Sequence, residues 1–273
     1  MVDPTRGVLY PARLPRLTRL PPPPAAVELV GWYWISEWDI APGRSSRQEL
    51  VTYPVSNLVV EQDLVGLAGP TTRISHRDLI GRGWAVGALL RPAAVGALVE
   101  RPAQTRDSYV VMELPDLLES VRGAMDAGEA ASRHAAAVAA FSDWLVALAG
   151  ELDDQARLAN AMSELLMADP EVRRVEEAAA RLAVSTRTLQ RLARRYVGIS
   201  PAAMIRRRRL QEAAARLRAT PGADLAEIAA DLGYADQAHL AADFRTVLAF
   251  TPSQYRRDAA AQPPSSSSSA NQA

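Results

Sequence analysis

The chain has 273 residues, 48% of them hydrophobic and 23% charged, enough for two domains with separate cores. There is no lysine, so all 31 basic residues are arginine; 31 acidic residues bring the formal net charge to zero. Cysteine is absent, which excludes disulfides, thiolate zinc sites and cysteine nucleophiles.

The zero average hides an asymmetry. Between Asp153 and Asp258 there are 17 arginines against 14 acidic residues, a modest bias, and the local run from Arg181 to Arg209 carries the electrostatic argument. The N-terminus lacks the hydrophobic run of a signal peptide, and no window approaches ~20 uninterrupted apolar residues. A soluble, cytoplasmic protein with no membrane partner is expected.

In chain order, residues 1 to about 24 are rich in Pro and Arg and end in Pro21 to Pro24, an extended spacer. Short apolar runs follow: Val27 to Ile35, Glu49 to Tyr53, Asn57 to Glu61, Val65 to Ala68, Ala85 to Leu90 and Tyr109 to Glu113. Gly, Pro, Ser and Asp punctuate them. This spacing predicts an antiparallel β-rich domain over residues 1–115, a sandwich or small barrel.

Four of the five tryptophans fall in this half: Trp32, Trp34, Trp38 and Trp84. They serve either as core and rim packing or, for Trp32, Trp34 and Trp84, as the lining of a pocket for a small apolar or aromatic effector. Trp32 and Trp34 share one face of a strand. A histidine-based metal site needs two or three converging ligands. Of the three histidines, His76, His134 and His239, only His76 lies in this half, where it reads as a surface loop residue. No metal site, cofactor or catalytic group is expected, and no Ser-His-Asp spacing or Gly-rich phosphate loop is present.

From Asp116 to Ala149 the pattern turns helical and alanine-rich. Val138, Phe141, Leu145 and Leu148 make one apolar stripe. It packs either on the β domain or on a second copy of the chain, so residues 116–150 read as a helical linker or dimerisation segment. Asp153 to Ala168 is the next helix, ended by Asp169-Pro170.

Ala178 to Gln211 carries nine arginines and no acidic residue. Within it, residues 174–196 read as a helix, a tight turn capped by Ser185, and a second helix with a guanidinium-rich outer face. Gly198-Ile-Ser-Pro201 supplies a stop, an N-cap and a first-turn proline for a long helix to about Arg218, with Arg206 to Arg209 midway. These four arginines read as a solvated face or as phosphate contacts.

After the break at Pro221-Gly222 the pattern repeats. Val175, Ala179 and Leu182 correspond to Leu225, Ala229 and Leu232; one residue further on, Ser185, Leu189, Ala193 and Pro201 correspond to Asp236, Leu240, Phe244 and Pro252. Two helix-turn-helix units on one long helix could enter successive major grooves, about 34 Å apart. The tail from Ala259 holds Pro263-Pro264 and five serines and is expected to be disordered.

Residues 174–257 resemble the DNA-binding domain of the AraC/XylS family of bacterial transcription regulators. The resemblance rests on Ala179, Leu182, Val184-Ser185, Arg187-Thr-Leu-Gln-Arg191, Gly198-Ile-Ser-Pro201, Ile228-Ala229, Leu232-Gly-Tyr234, His239-Leu240, Phe244 and Thr251-Pro-Ser-Gln-Tyr-Arg256. The N-terminal half resembles the cupin-like sensor domains of some of these regulators, through Gly87 to Ala94.

The fold implied is α+β. An N-terminal β-rich, cupin-like domain precedes an all-α domain (151–258) of two helix-turn-helix units joined by a long helix. A tail (259–273) follows.

The resemblance assigns base contacts to Arg187, Gln190 and Arg191 in the first unit and to Gln237, Ala238, His239 and Ala242 in the second. Ser185, Thr186, Arg194, Arg195 and Arg245 fall to the DNA backbone. Ala242 stands where the family commonly has Arg, so the first unit is expected to dominate base readout. Ala249-Phe250 replaces the usual Gly of the last turn. The implied partners are double-stranded DNA, a small-molecule effector, a second copy of the chain, and RNA polymerase should the protein activate. The alternatives are an enzyme, or a non-specific nucleoid or adaptor protein, carrying a DNA-targeting helix-turn-helix domain.

Overall fold

The computed structural model describes residues 16–50, 55–71, 75–126, 128–220 and 222–260. The first residues of the Pro/Arg-rich stretch, the end of the Glu49–Tyr53 run, Pro221 and the serine tail lie outside the described residues.

Among the described residues of the N-terminal half there are eight strands: β1 (Arg16–Leu20), β2 (Val30–Asp39), β3 (Ser45–Leu50), β4 (Asn57–Glu61), β5 (Val65–Ala68), β6 (Ser75–Ile80), β7 (Arg82–Leu90) and β8 (Tyr109–Met112). Six make an antiparallel sheet in the order β1-β2-β7-β4-β5-β8, and β3 pairs with β6 in a separate ribbon. The described parts of the apolar runs therefore fall in strands, as their β-branched and aromatic content dictates, except for Val27–Leu29, which form the turn before β2, and Glu113, which follows β8. β1 and β6 were hidden by their arginines and by Ser, His and Asp. His76 is on the surface, but in β6 opposite Glu49 rather than in a loop.

Register sorts the sheet into two faces. Ile35 opposes Val86, Leu58 opposes Ala88, and Val60 opposes both Val86 and Val65. With Tyr33 and Leu67 these side chains are fully or almost fully buried. Helices α2 (Pro115–Met125) and α3 (Ala130–Ala149) cover this face. Val138, Phe141 and Leu145 are buried against it, and Phe141 meets Tyr33 at 5.5 Å. The apolar stripe thus packs on the sheet of its own chain, and only Leu148 is exposed. Each such buried Leu or Phe contributes about 2–3 kcal/mol relative to exposure.

A short helix, α1 (Pro92–Leu98), and the 3-10 turn Pro102–Thr105 lead from the sheet to the all-helical half. That half comprises α4 (Asp154–Ala168), α5 (Val175–Arg181), α6 (Thr186–Tyr196), α7 (Pro201–Ala219), α8 (Leu225–Asp231), α9 (Gln237–Leu248) and α10 (Pro252–Ala260).

The halves meet over small residues and specific hydrogen bonds. Asn160 of α4 is buried; its Oδ1 accepts from the Ala93 amide at 3.0 Å and its Nδ2 donates to the Glu28 carbonyl at 2.7 Å. This supplies from another helix the N-terminal cap that Arg91 does not give α1. Gly96 of α1 lies under the Tyr196 ring, where a Cβ would come within 2.5 Å. Gly198, at φ +91°, meets the Pro102 backbone, and a Cβ there would sit 2.6 Å from the Pro102 carbonyl carbon.

Consequently one hydrophobic cluster runs from the sheet through α2–α6 to Ile205, and a second gathers Leu210 to Tyr255. The first helix-turn-helix unit is built into the core of the N-terminal half. The second has a core of its own, and the division falls within α7.

Candidate nucleic-acid interface and effector site

The two helix-turn-helix units repeat bond for bond. In the first, the amides of Leu182, Ala183 and Val184 donate to the carbonyls of Ala178, Ala180 and Ala179. In the second, those of Leu232, Gly233 and Tyr234 donate to Ile228, Ala230 and Ala229. This is the left-handed stop of a helix. Ala183 (φ +52°) and Gly233 (φ +72°) occupy the same position.

The next helix is capped alike in both units. Ser185 Oγ accepts from the Thr188 amide at 3.1 Å, and Asp236 Oδ1 accepts from the His239 amide at 2.7 Å. At α5, Glu177 accepts from the amides of Arg173 and Arg174. Those two bonds hold its carboxyl below the usual range.

In α6, Leu189, Leu192, Ala193 and Tyr196 are buried, which turns Arg187, Gln190, Arg191 and Arg194 outward on one face. Ser185 and Arg195 are exposed and Thr186 is half-buried at the helix start. Arg181, by contrast, is paired with Asp169, and Arg195 stacks on Tyr196. Among the described residues, Arg187, Arg191 and Arg194 on the exposed face of α6 form no ion pair.

In α9, Leu240, Phe244, Val247 and Leu248 are buried, and Gln237, Ala238, His239, Ala242 and Arg245 are exposed. This face holds a single arginine. Beyond it, Ala249 takes a left-handed conformation (φ +61°) to end the helix, although it is not Gly.

The motif Thr251 to Arg256 has a physical explanation. Thr251 Oγ1 accepts from the Gln254 amide, and Gln254 Oε1 accepts from the Thr251 amide, a reciprocal cap. Tyr255 is fully buried 5.7 Å from Phe244, and Arg256 donates to the Ala223 carbonyl.

The Arg206–Arg209 reading is corrected. Arg207 and Arg208 are buried, Arg208 donating to the Val172 carbonyl at 2.5 Å. Burial pushes the Arg207 guanidinium down to about 10, with Asp107 acting in the opposite sense. Arg206 forks to Asp243, and Arg209 lies over the Tyr234 ring at 3.8 Å. The run is not one solvated face: Arg207 and Arg208 are buried, Arg209 is half-buried, and the more exposed Arg206 is engaged by Asp243.

The tryptophan grouping is corrected as well. Trp34 pairs with Gly87, whereas Trp84 pairs with Glu37, so Trp84 lies on the opposite face of the sheet from Trp32 and Trp34. All three are half-buried.

The face of Trp34 carries a different group. Its indole packs closely on Gly87, the Trp38 ring on Gly83 and the Tyr109 ring on Gly66; a Cβ on any of these glycines would come within 2.6 Å of the ring beside it. Trp34 Nε1 donates to Asn57 Oδ1 at 3.1 Å. At the far end, Tyr109 donates to Glu61 at 2.6 Å, Arg77 of the β3–β6 ribbon pairs with Glu61, and its guanidinium lies over the Tyr109 ring. Burial first, and then the Glu61 bond, pushes the Tyr109 hydroxyl well above its ordinary range, so it stays a donor.

Sequence reasoning missed Asn57, Glu61, Arg77 and Tyr109. The available signal was a set of glycines inside strands, which marks close approach of a neighbouring group. Among the described residues no cluster of His, Asp or Glu could hold a metal ion, and no helix is long and apolar enough to cross a membrane.

Two capped helix-turn-helix units on one connecting helix, the first with an arginine-rich exposed face, have the layout of a bipartite DNA-binding domain. Residues 178–258 match the family model of a helix-turn-helix domain, and residues 18–111 match a domain of unknown function (DUF6597). Residues 178–258 are therefore a helix-turn-helix domain.

No curated protein matches it. Among solved structures it is similar to ToxT from Vibrio cholerae O395, with 10% identity and a TM-score of 0.41, covering 90% of this chain and 97% of that one. Fatty-acid-bound ToxT from Vibrio cholerae strain SCE256 gives 14%, 0.38, 88% and 93%. The AraC-like transcriptional activator CuxR gives 16%, 0.23, 74% and 95%.

Proposed function

We propose that α6 carries most of the base readout and that α9 mainly positions the protein. The observation that supports this is the contrast between the two exposed faces. Arg187, Gln190 and Arg191 can fork to guanine or pair with adenine, whereas Ala238 and Ala242 offer only methyl contacts, leaving Gln237 and His239 as the hydrogen-bonding groups of α9. Ser185, Thr186, Arg194, Arg195 and Arg245 flank these positions and serve the phosphates.

The N-terminal half is read as a cupin-like sensor. Its effector site is the face built on Trp34, Trp38 and Tyr109, with Glu61, Arg77 and Asn57 as polar groups. Flat rings bedded on glycine suit a flat apolar ligand with one polar end. A cytoplasmic protein that dimerises, and that meets RNA polymerase where it activates, fits this role; no enzymatic step is part of it.

The test is in vitro selection of DNA from a random pool with the purified full-length protein at two salt concentrations. A selected site should be preferred over random DNA by ~10³-fold or more. Arg187→Ala and Arg191→Ala should each relax one position of the motif and cost about 1–3 kcal/mol. Equal losses of specificity from Gln237→Ala and His239→Ala would refute the ranking. Uniform, strongly salt-dependent binding without enrichment would indicate a nucleoid-type protein instead.

A further inference from the structure

We infer that Arg206 and Arg209 of α7 are positioning residues for DNA recognition: they clamp α9 and so fix the spacing at which the second unit engages DNA. This rests on the bipartite reading above.

The geometry holds α9 at two points on one face. Arg206 Nε and Nη2 reach the two carboxylate oxygens of Asp243 at 2.8 and 2.6 Å, a planar fork that sets direction as well as distance. Asp243 is 13% exposed, so this pair is shielded on the α9 side. Arg209 lies over Tyr234, and Tyr234 meets the His239 ring edge-on at 5.1 Å. His239 and Asp243 stand four residues apart, one turn of α9. Tyr234 is itself buried in the turn before that helix.

The same stretch of α7 reaches back to the first unit. Arg208 donates to the Val172 carbonyl in the α4–α5 loop, and Arg173 of that loop lies against Gly233 in the second turn. The first unit, α7 and the second unit are thus tied at a single junction. The 19 residues of α7 span about 28 Å, close to one turn of DNA. One inserted base pair shifts the second block by about 3.4 Å and rotates it by about 35°. A rigid junction cannot follow that movement, whereas a loosened one can.

The experiment uses the full-length protein and the two-block site recovered by selection, with one or two base pairs inserted between the blocks, and reads affinity by fluorescence anisotropy. For the natural sequence one inserted base pair should weaken binding by about tenfold or more, the scale of a lost specific contact. For Arg206→Ala and Arg209→Ala the same insertion should cost about threefold or less, with unchanged affinity for the α6 block alone. The exchange Arg206→Asp with Asp243→Arg should restore the penalty. Arg206→Lys, which keeps the charge without the fork, should fall between and serves if the alanine variant does not fold by far-UV circular dichroism.

A two-block motif whose spacing penalty is unchanged in these variants overturns the clamp alone. A single-block motif, or none, removes the bipartite reading and the clamp with it.

Discussion

Asn160 is where the helical half is fastened to the sheet, and Asn160→Ala should weaken the whole molecule. The substitution strands two groups. The Ala93 amide is in the first turn of α1, and Ala93 is almost fully buried away from bulk solvent. Leaving such a donor unsatisfied costs about 1–3 kcal/mol. The Glu28 carbonyl belongs to an exposed residue and can turn to water, so only the net hydrogen bond, about 0.5–1.5 kcal/mol, is lost there.

Together these give about 2–4 kcal/mol, against the 5–15 kcal/mol of a typical domain. Urea unfolding followed by tryptophan fluorescence and far-UV circular dichroism measures it. Glu164→Ala is the comparator. It breaks the Arg91–Glu164 ion pair at the same junction, but on the surface, where such pairs contribute at most about 1 kcal/mol. If Asn160→Ala costs less than about 1 kcal/mol, or Glu164→Ala costs as much, then burial does not decide the strength of this junction and the reasoning fails.

Ala249 ends α9 in the left-handed region, which disfavours any residue with a Cβ. Ala249→Gly should therefore raise stability by about 0.5–1 kcal/mol in thermal unfolding, and an unchanged or lowered midpoint would contradict the cap assignment. Burial pushes the Tyr33 hydroxyl, hydrogen-bonded to Ser142, up to about 12 from an ordinary value of 10. The folded pKa is raised, so this stabilisation is complete below pH 10 and is lost as pH rises toward 12. Tyr33→Phe should flatten stability over that window by up to about 2–3 kcal/mol; equal alkaline sensitivity in both proteins would show that other groups govern it.

Where local chemistry decides a feature, the sequence by itself determined it. Ser185 and Asp236 cap the recognition helices because a short side-chain oxygen reaches the third amide of a helix whatever surrounds it. The repeat in registers 50 and 51, the Thr251-to-Gln254 cap and the outward face of α6 follow from the same local rules and from the period of a helix.

What only the tertiary structure decided depends on partners distant in sequence. Arg206 to Arg209 look like solvated charge until Asp243, Val172 and Tyr234, up to 37 residues away, are brought beside them. Trp84 parts from Trp32 and Trp34 because strand register, not spacing along the chain, assigns a side chain to a face. Glu61, Arg77 and Tyr109 meet only when the β3–β6 ribbon and the edge strand β8 approach β4. The stripe of α3 packs inward because the sheet presents it with a matching apolar face, which no helix periodicity can reveal.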